Sequence, residues 1–174
     1  NVAITITGDS ASGNPYEQSA QYFKGITLHG LDNTVGIGLY FNTTIASGDC
    51  GSSHTYMQGL NISYFKKGVR FAEHSYLITF EGCDIWGCAD GIYMDTQDIA
   101  LNTLTDAGEN IRFNNCCIFQ NDYGIRLNNG ATYFKFYATS FDGNNVLSVL
   151  LAAGEIHCLG CHFEANEQQV DVKS

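Results

Sequence analysis

The chain carries 174 residues, 44% of them hydrophobic, with 8 Lys and Arg set against 18 Asp and Glu for a formal net charge of −10. That balance excludes the basic footprint a phosphate backbone requires, so no nucleic-acid partner is expected, and no apolar run of about 18 residues exists to insert into a membrane. Nineteen Gly, a single proline (Pro15) and abundant Asn, Thr, Ser, Tyr and Phe point away from helices and toward short strands joined by tight turns.

The chain opens on a strand-like stretch, VAITIT (Val2–Thr7), with no initiator methionine and no signal-peptide pattern before it. It is read as a segment of a longer protein whose repeats continue on at least one side. From Phe23 onward one phrase recurs six times: FKGITL (Phe23–Leu28), MQGLNI (Met57–Ile62), FEGCDI (Phe80–Ile85), FNNCCI (Phe113–Ile118), FYATSF (Phe136–Phe141) and CLGCHF (Cys158–Phe163). Their starts lie 34, 23, 33, 23 and 22 residues apart, a base period of about 22–23 with roughly ten extra residues in two intervals. A period of that size marks units that must stack on their neighbours to bury a face. Within each copy apolar and polar residues alternate, the period of a half-buried strand. In the third copy Ile78, Phe80, Cys83 and Ile85 are expected inside, with Thr79, Glu81 and Asp84 outside. Gly82 supplies the bend that the change of phase demands, and Gly25 and Gly59 hold the same place in the first two copies.

A second strand phrase follows each copy: GLYF (Gly38–Phe41, after a longer connection), GVRF (Gly68–Phe71), GIYM (Gly91–Met94), GIRL (Gly124–Leu127), VLSV (Val146–Val149) and QVDV (Gln169–Val172). Three short strands per coil and a return after about 22 residues predict an all-β fold, a right-handed single-stranded parallel β-helix of about six coils forming one domain over 1–174. Long loops are expected near 42–54 and 95–108.

The register also sorts the cysteines. Leu60, Cys83, Cys116, Thr139 and Cys161 fall in one inward column, and Met57, Phe80, Phe113, Phe136 and Cys158 in another. Cys158-Leu-Gly-Cys161-His162 matches a haem-attachment pattern and, with His157, a zinc pattern, but both cysteines fall on core columns and are read as packing. Adjacent Cys116 and Cys117 face opposite sides of a strand, which argues against a disulfide between them. Seven cysteines without a disulfide framework's spacing imply free thiols and synthesis in a reducing compartment. The sequons at Asn42 and Asn61 are read as chance. No cofactor and no metal are expected.

HSYLITFEGCDIWGCADGIYM (His74–Met94) and DAGENIRFNNCCIFQNDYGIRLNN (Asp106–Asn129) resemble the pectin-lyase-like β-helix body of bacteriophage tailspike proteins, and ITGDSASGNPYEQSAQYFKGITLHG (Ile4–Gly30) resembles the entry to it. The resemblance implies a homotrimeric receptor-binding protein of the virion, made in the host cytoplasm and acting at the bacterial cell surface. Its partners would be a bacterial surface polysaccharide, capsule or O-antigen, and other phage tail or baseplate proteins. Such proteins usually degrade the glycan as hydrolases, lyases or deacetylases, and no family-wide catalytic motif assigns a residue here.

Candidate chemistry follows from the connections. Phe41 to Thr55 leaves 13 residues and Met94 to Ile111 leaves 16, whereas Phe71 to Ile78 and Leu127 to Phe134 each leave 6. Two long loops therefore flank the short turn bearing Glu73 and His74, a usual way to wall a site. Asp95 lies about one rung from Glu73, a spacing of roughly 5–7 Å that touches both glycosidase geometries. Glu81 and Asp84 form a second outward pair beside the Gly82 bend. His74, Tyr76 and Arg70 would instead suit a lyase, supplying base and carboxylate partner. An outward column of Tyr40, Arg70, Tyr93, Arg126, Ser148 and Asp171 offers stacking faces and guanidiniums for sugar binding, and the only tryptophan, Trp86, faces outward. The expected function is a polysaccharide depolymerase, a glycoside hydrolase ahead of a lyase; the alternatives are a polysaccharide lyase and a non-catalytic glycan-binding or structural segment.

Overall fold

In a computed structural model, residues 1–7, 21–42, 53–71, 75–94, 110–127, 133–151 and 154–172 are described. Alternating side chains and positive-φ bends fold them into three parallel sheets whose strands stack one above the next, an arrangement compatible with a parallel β-helix of about six rungs. Sheet A stacks Val2–Thr7, Ile37–Asn42, Lys67–Phe71, Asp90–Met94, Tyr123–Leu127, Leu147–Leu151 and Val170–Val172 in that order. Sheet B stacks Gln21–Lys24, Ser53–Gln58, Tyr76–Glu81, Ile111–Asn114, Tyr133–Tyr137 and Glu155–Leu159. Sheet C stacks Thr27–His29, Asn61–Ser63, Asp84–Trp86, Cys117–Phe119, Ser140–Asp142 and His162–Glu164.

The bend from sheet B to sheet C carries a left-handed residue in every rung: Gly25, Gly59, Gly82, Asn115, Ala138 and Gly160 all have φ between 47° and 65°. Glycine enters that region without a Cβ penalty, and Asn115 is the next best choice. The inward positions close on one core. Phe80 stacks on Phe113 with ring centroids 4.5 Å apart, Phe113 on Phe136 at 5.1 Å, and Phe41 on Phe71 at 5.0 Å, each pair adding about 0.5–1.5 kcal/mol beyond its buried area. Beside them Cys83, Cys116, Thr139 and Cys161 each donate to a main-chain carbonyl of the preceding rung, those of Met57, Phe80, Phe113 and Phe136. The cysteine column is therefore a packing and hydrogen-bonding ladder. Cys158 keeps its expected register under Phe136 but is exposed, because no described strand covers the far side of its sheet.

A second ladder closes the corner between sheets C and A. Asn121 and Asn144 are fully buried, and each donates Nδ2–H to the next asparagine, Asn144 and Asn166 respectively, and to a main-chain carbonyl, Ile85 and Ile118. Burying two carboxamides is tolerable only with such partners.

One outward column differs from expectation. Tyr40, Arg70, Tyr93 and Arg126 do align rung by rung, but Arg126 pairs with Leu150, which pairs with Asp171. Ser148 lies two residues earlier, fully buried, at the top of the column Gly38, Gly68, Gly91 and Gly124. A Cβ on any of those glycines would meet the next rung's carbonyl oxygen at 2.6–2.8 Å. Close backbone approach, not the Val-x-x-Val pattern, sets the register there.

Candidate functional site

The Gly82 bend sends Glu81 and Asp84 to different faces. Glu81 joins the outer column of sheet B with Lys24 and Gln58, while Asp84 joins that of sheet C with Thr27 and Asn61. The two carboxylates of the second candidate pair therefore do not share one surface. Asp84 instead shares the outer face of sheet C with Trp86, two residues on along the same strand.

That face carries an aromatic ridge. Tyr64 meets Trp86 edge-on at 4.9 Å, and Trp86 stacks on Phe119 at 5.7 Å with the planes 8° apart. The indole N–H donates to Asn61 Oδ1 at 3.1 Å, which fixes the ring. The ridge ends at an open groove of about 540 Å³ lined by Asp84, Cys117, Phe119, Gln120, Asp142 and Glu164, with Gly143 and Ala165 at its rim. Burial holds the Asp84 carboxyl above its ordinary value. The Cys117 thiol is likewise pushed up, first by burial and then by Asp84 and Asp142, so it stays protonated and is a poor nucleophile.

Asp142 and Glu164 of the groove lining belong to a cluster of four polar groups from two stacked strands, with Ser140 and His162. Ser140 donates its hydroxyl to Asp142 Oδ2 at 2.7 Å and sits 3.4 Å from His162 Nδ1. Asp142 Oδ1 lies 3.4 Å from the same nitrogen, and Glu164 lies 4.0 Å from His162 Nε2. A serine triad needs the histidine to take the hydroxyl proton on one nitrogen while a carboxylate holds the other; here the Ser140 hydroxyl donates to Asp142, and Glu164 stands 4.0 Å from Nε2, beyond hydrogen-bond distance, so the set does not activate Ser140. Asp142, His162 and Glu164 each place one donor atom within 4.8 Å of the others, which is enough to hold a divalent cation or to relay a proton. The repeat register contained these residues, but only rung stacking brings them together.

The outer face of sheet A is organised differently. Arg70 lies over the Tyr40 ring at 4.6 Å, Lys67 over Tyr93 at 3.2 Å and Arg126 over Tyr123 at 4.0 Å. Arg126 also pairs with the buried Asp90 at 2.8 Å. The candidate sugar-binding column is thus engaged within the protein. Tyr76 opens its sheet B strand with its ring edge-on to His54 at 6.4 Å. Glu73, His74 and Asp95 lie outside the described residues, as do the long connections 43–52 and 95–109. Those connections do start and end at one corner, since Phe71 pairs with both Phe41 and Met94, and Ile78 with Thr55. The entry to sheet B at that corner holds His54, Leu77 and Asn110 at φ 52°, 53° and 55°, a repeated left-handed strain.

No family model, no curated protein and no solved structure matches the chain.

Proposed function

We propose that the chain is a body segment of a tailspike-type receptor-binding protein that binds a bacterial surface polysaccharide and hydrolyses its glycosidic bonds. The observation that carries this reading is the aromatic ridge of sheet C running into a groove edged by Asp84 and Asp142. Flat rings at rung spacing suit the apolar faces of successive sugars. Asp84, whose carboxyl burial holds above its ordinary value, is the general acid that protonates the departing glycosidic oxygen. Asp142, held by the Ser140 hydroxyl and beside His162, takes the proton from the water that attacks the anomeric carbon on the opposite face. Asp142 stands two rungs on and two residues along from Asp84, a backbone separation of roughly 11–12 Å, on the inverting side of the two glycosidase separations and far from the retaining one.

The coil is right-handed in this reading, because parallel strands joined by crossovers wind that way in about 98% of cases. Homotrimeric assembly, placement on the virion and contact with other tail or baseplate proteins belong to the same proposal and rest on the resemblance of His74–Met94 and Asp106–Asn129 to tailspike bodies.

The test is to incubate the full-length protein with capsule and O-antigen preparations and measure new reducing ends, with ultraviolet absorbance for unsaturated uronates. Hydrolysis yields reducing ends without that absorbance, and Asp84→Asn lowers turnover about 100-fold or more. Unsaturated products would make the protein a lyase, and binding without product a glycan-recognition module. Loss of cleavage in Glu73→Gln or Asp95→Asn, with Asp84→Asn fully active, would move the site to the loop-bearing corner.

A further inference from the structure

Sheet B carries a cationic stripe on an otherwise acidic chain. Its outer column reads Tyr22, Tyr56, Thr79, Arg112, Lys135 and His157, paired rung by rung. The last three follow one another at the rung spacing of about 4.8 Å. With 8 Lys and Arg against 18 Asp and Glu in the whole chain, three cationic or protonatable groups in consecutive rungs stand apart. The other described arginines, Arg70 and Arg126, lie over tyrosines, and Arg126 also pairs with Asp90.

The stripe is also positioned. The Asn110 side-chain oxygen accepts from Arg112 Nε at 3.0 Å and from Lys135 Nζ at 3.3 Å, so one carboxamide holds both cations side by side. Tyr133 lies 4.8 Å from Lys135 Nζ and meets His157 edge-on at 4.9 Å. Among the described residues no carboxylate pairs with Arg112 or Lys135, and Glu155 reaches only His157, at 3.4 Å. Using Nε for Asn110 leaves the Nη pair of Arg112, the fork that clasps a carboxylate in two parallel bonds. An exposed guanidinium, an ammonium and an imidazole beside a tyrosine ring match anionic sugars rather than neutral ones.

We infer that Arg112, Lys135 and His157 form a subsite for the carboxylates of an acidic, uronate-bearing polysaccharide. The inference rests on the polysaccharide reading above and narrows it to a charged substrate class. Charge complementarity selects this occupant, because cationic groups in three consecutive rungs attract a polyanion locally on a chain whose net charge is −10. A nucleic acid needs a wider basic footprint than three rungs provide.

The experiment pairs each bacterial polysaccharide that the full-length protein binds with its carboxyl-reduced form, which keeps the sugar backbone and removes the charge. Affinity is measured across a salt series for the parent and for Arg112→Gln/Lys135→Gln, with a single-stranded oligonucleotide as a further ligand. The inference predicts that the native acidic polymer binds about tenfold or more tightly than its reduced form. The double variant should lose that preference and most of the salt dependence while keeping the parent's melting temperature. Equal affinity for both forms, an unchanged double variant, or equally tight oligonucleotide binding would overturn it. A neutral polysaccharide that is bound and cut would sink this inference and leave the depolymerase reading standing; no binding to any polysaccharide would sink both.

Discussion

Sheets A and C of this molecule present outer faces built from the same repeat, yet they handle polar groups in opposite ways. On sheet A each cation lies over a neighbouring tyrosine, and Asp90, pushed up by burial, is offset by Arg126 and then Lys67. On sheet C three carboxylates, Asp84, Asp142 and Glu164, surround a groove, and the ring of His162 is the basic group drawn among them. Aromatic and guanidinium residues alternating in a column can satisfy one another across strands, as Arg70 and Tyr40 do. Groups left uncompensated, and shifted by burial without a partner, are the better guide to a binding face.

That contrast can be broken experimentally, most forcefully on sheet A. Removing the guanidinium in Arg126→Ala leaves Asp90 buried beside a weaker partner, which is expected to cost about 2–4 kcal/mol and lower Tm by roughly 5–10 °C. Polysaccharide binding per folded molecule should be unchanged; weaker binding at unaltered Tm would reverse the roles assigned to the two faces. On sheet C the expected balance is inverted. Trp86→Ala should weaken polysaccharide affinity about tenfold, read by titration calorimetry, and shift Tm less than Arg126→Ala does. The smallest effect belongs to Asp84. Burial raises its folded-state pKa, so the folded protein holds the proton more tightly than the unfolded chain. The resulting penalty is absent below the ordinary carboxylate range and grows as pH rises through it toward the raised value. Asp84→Asn should therefore raise Tm by roughly 1–2 °C at about pH 7 and leave it unchanged near about pH 3. An equal shift at both pH values, followed by calorimetry, would show that Asp84 is not desolvated.

Much of this was legible in the chain. The inward columns, the Gly25, Gly59 and Gly82 bends and the packing position of Cys161 follow from a period of two set inside a period of 22–23; Cys158 keeps its register but is exposed at the last described rung of its sheet. The asparagine ladder was equally visible, at Asn121, Asn144 and Asn166 with spacings of 23 and 22, but one-residue signals are weaker than apolar phrases. So was the cationic stripe, since Arg112, Lys135 and His157 each precede the first apolar residue of the fourth, fifth and sixth copies. Ser148 misled because its column is governed by how closely backbones approach, which apolar spacing does not encode.

Local chemistry determined the strands, the bends and which side of each strand faces the core, because alternation and positive-φ residues act over a few positions. The tertiary stack decided the rest. It parted Glu81 from Asp84 and drew Ser140, Asp142, His162 and Glu164 into one cluster. It also aligned Tyr40, Arg70, Tyr93 and Arg126 rung by rung on one sheet face, with Arg70 over Tyr40 and Arg126 paired with Asp90. Those relations run between rungs, perpendicular to the chain, where the spacing is set by main-chain hydrogen bonds between residues 20 or more positions apart.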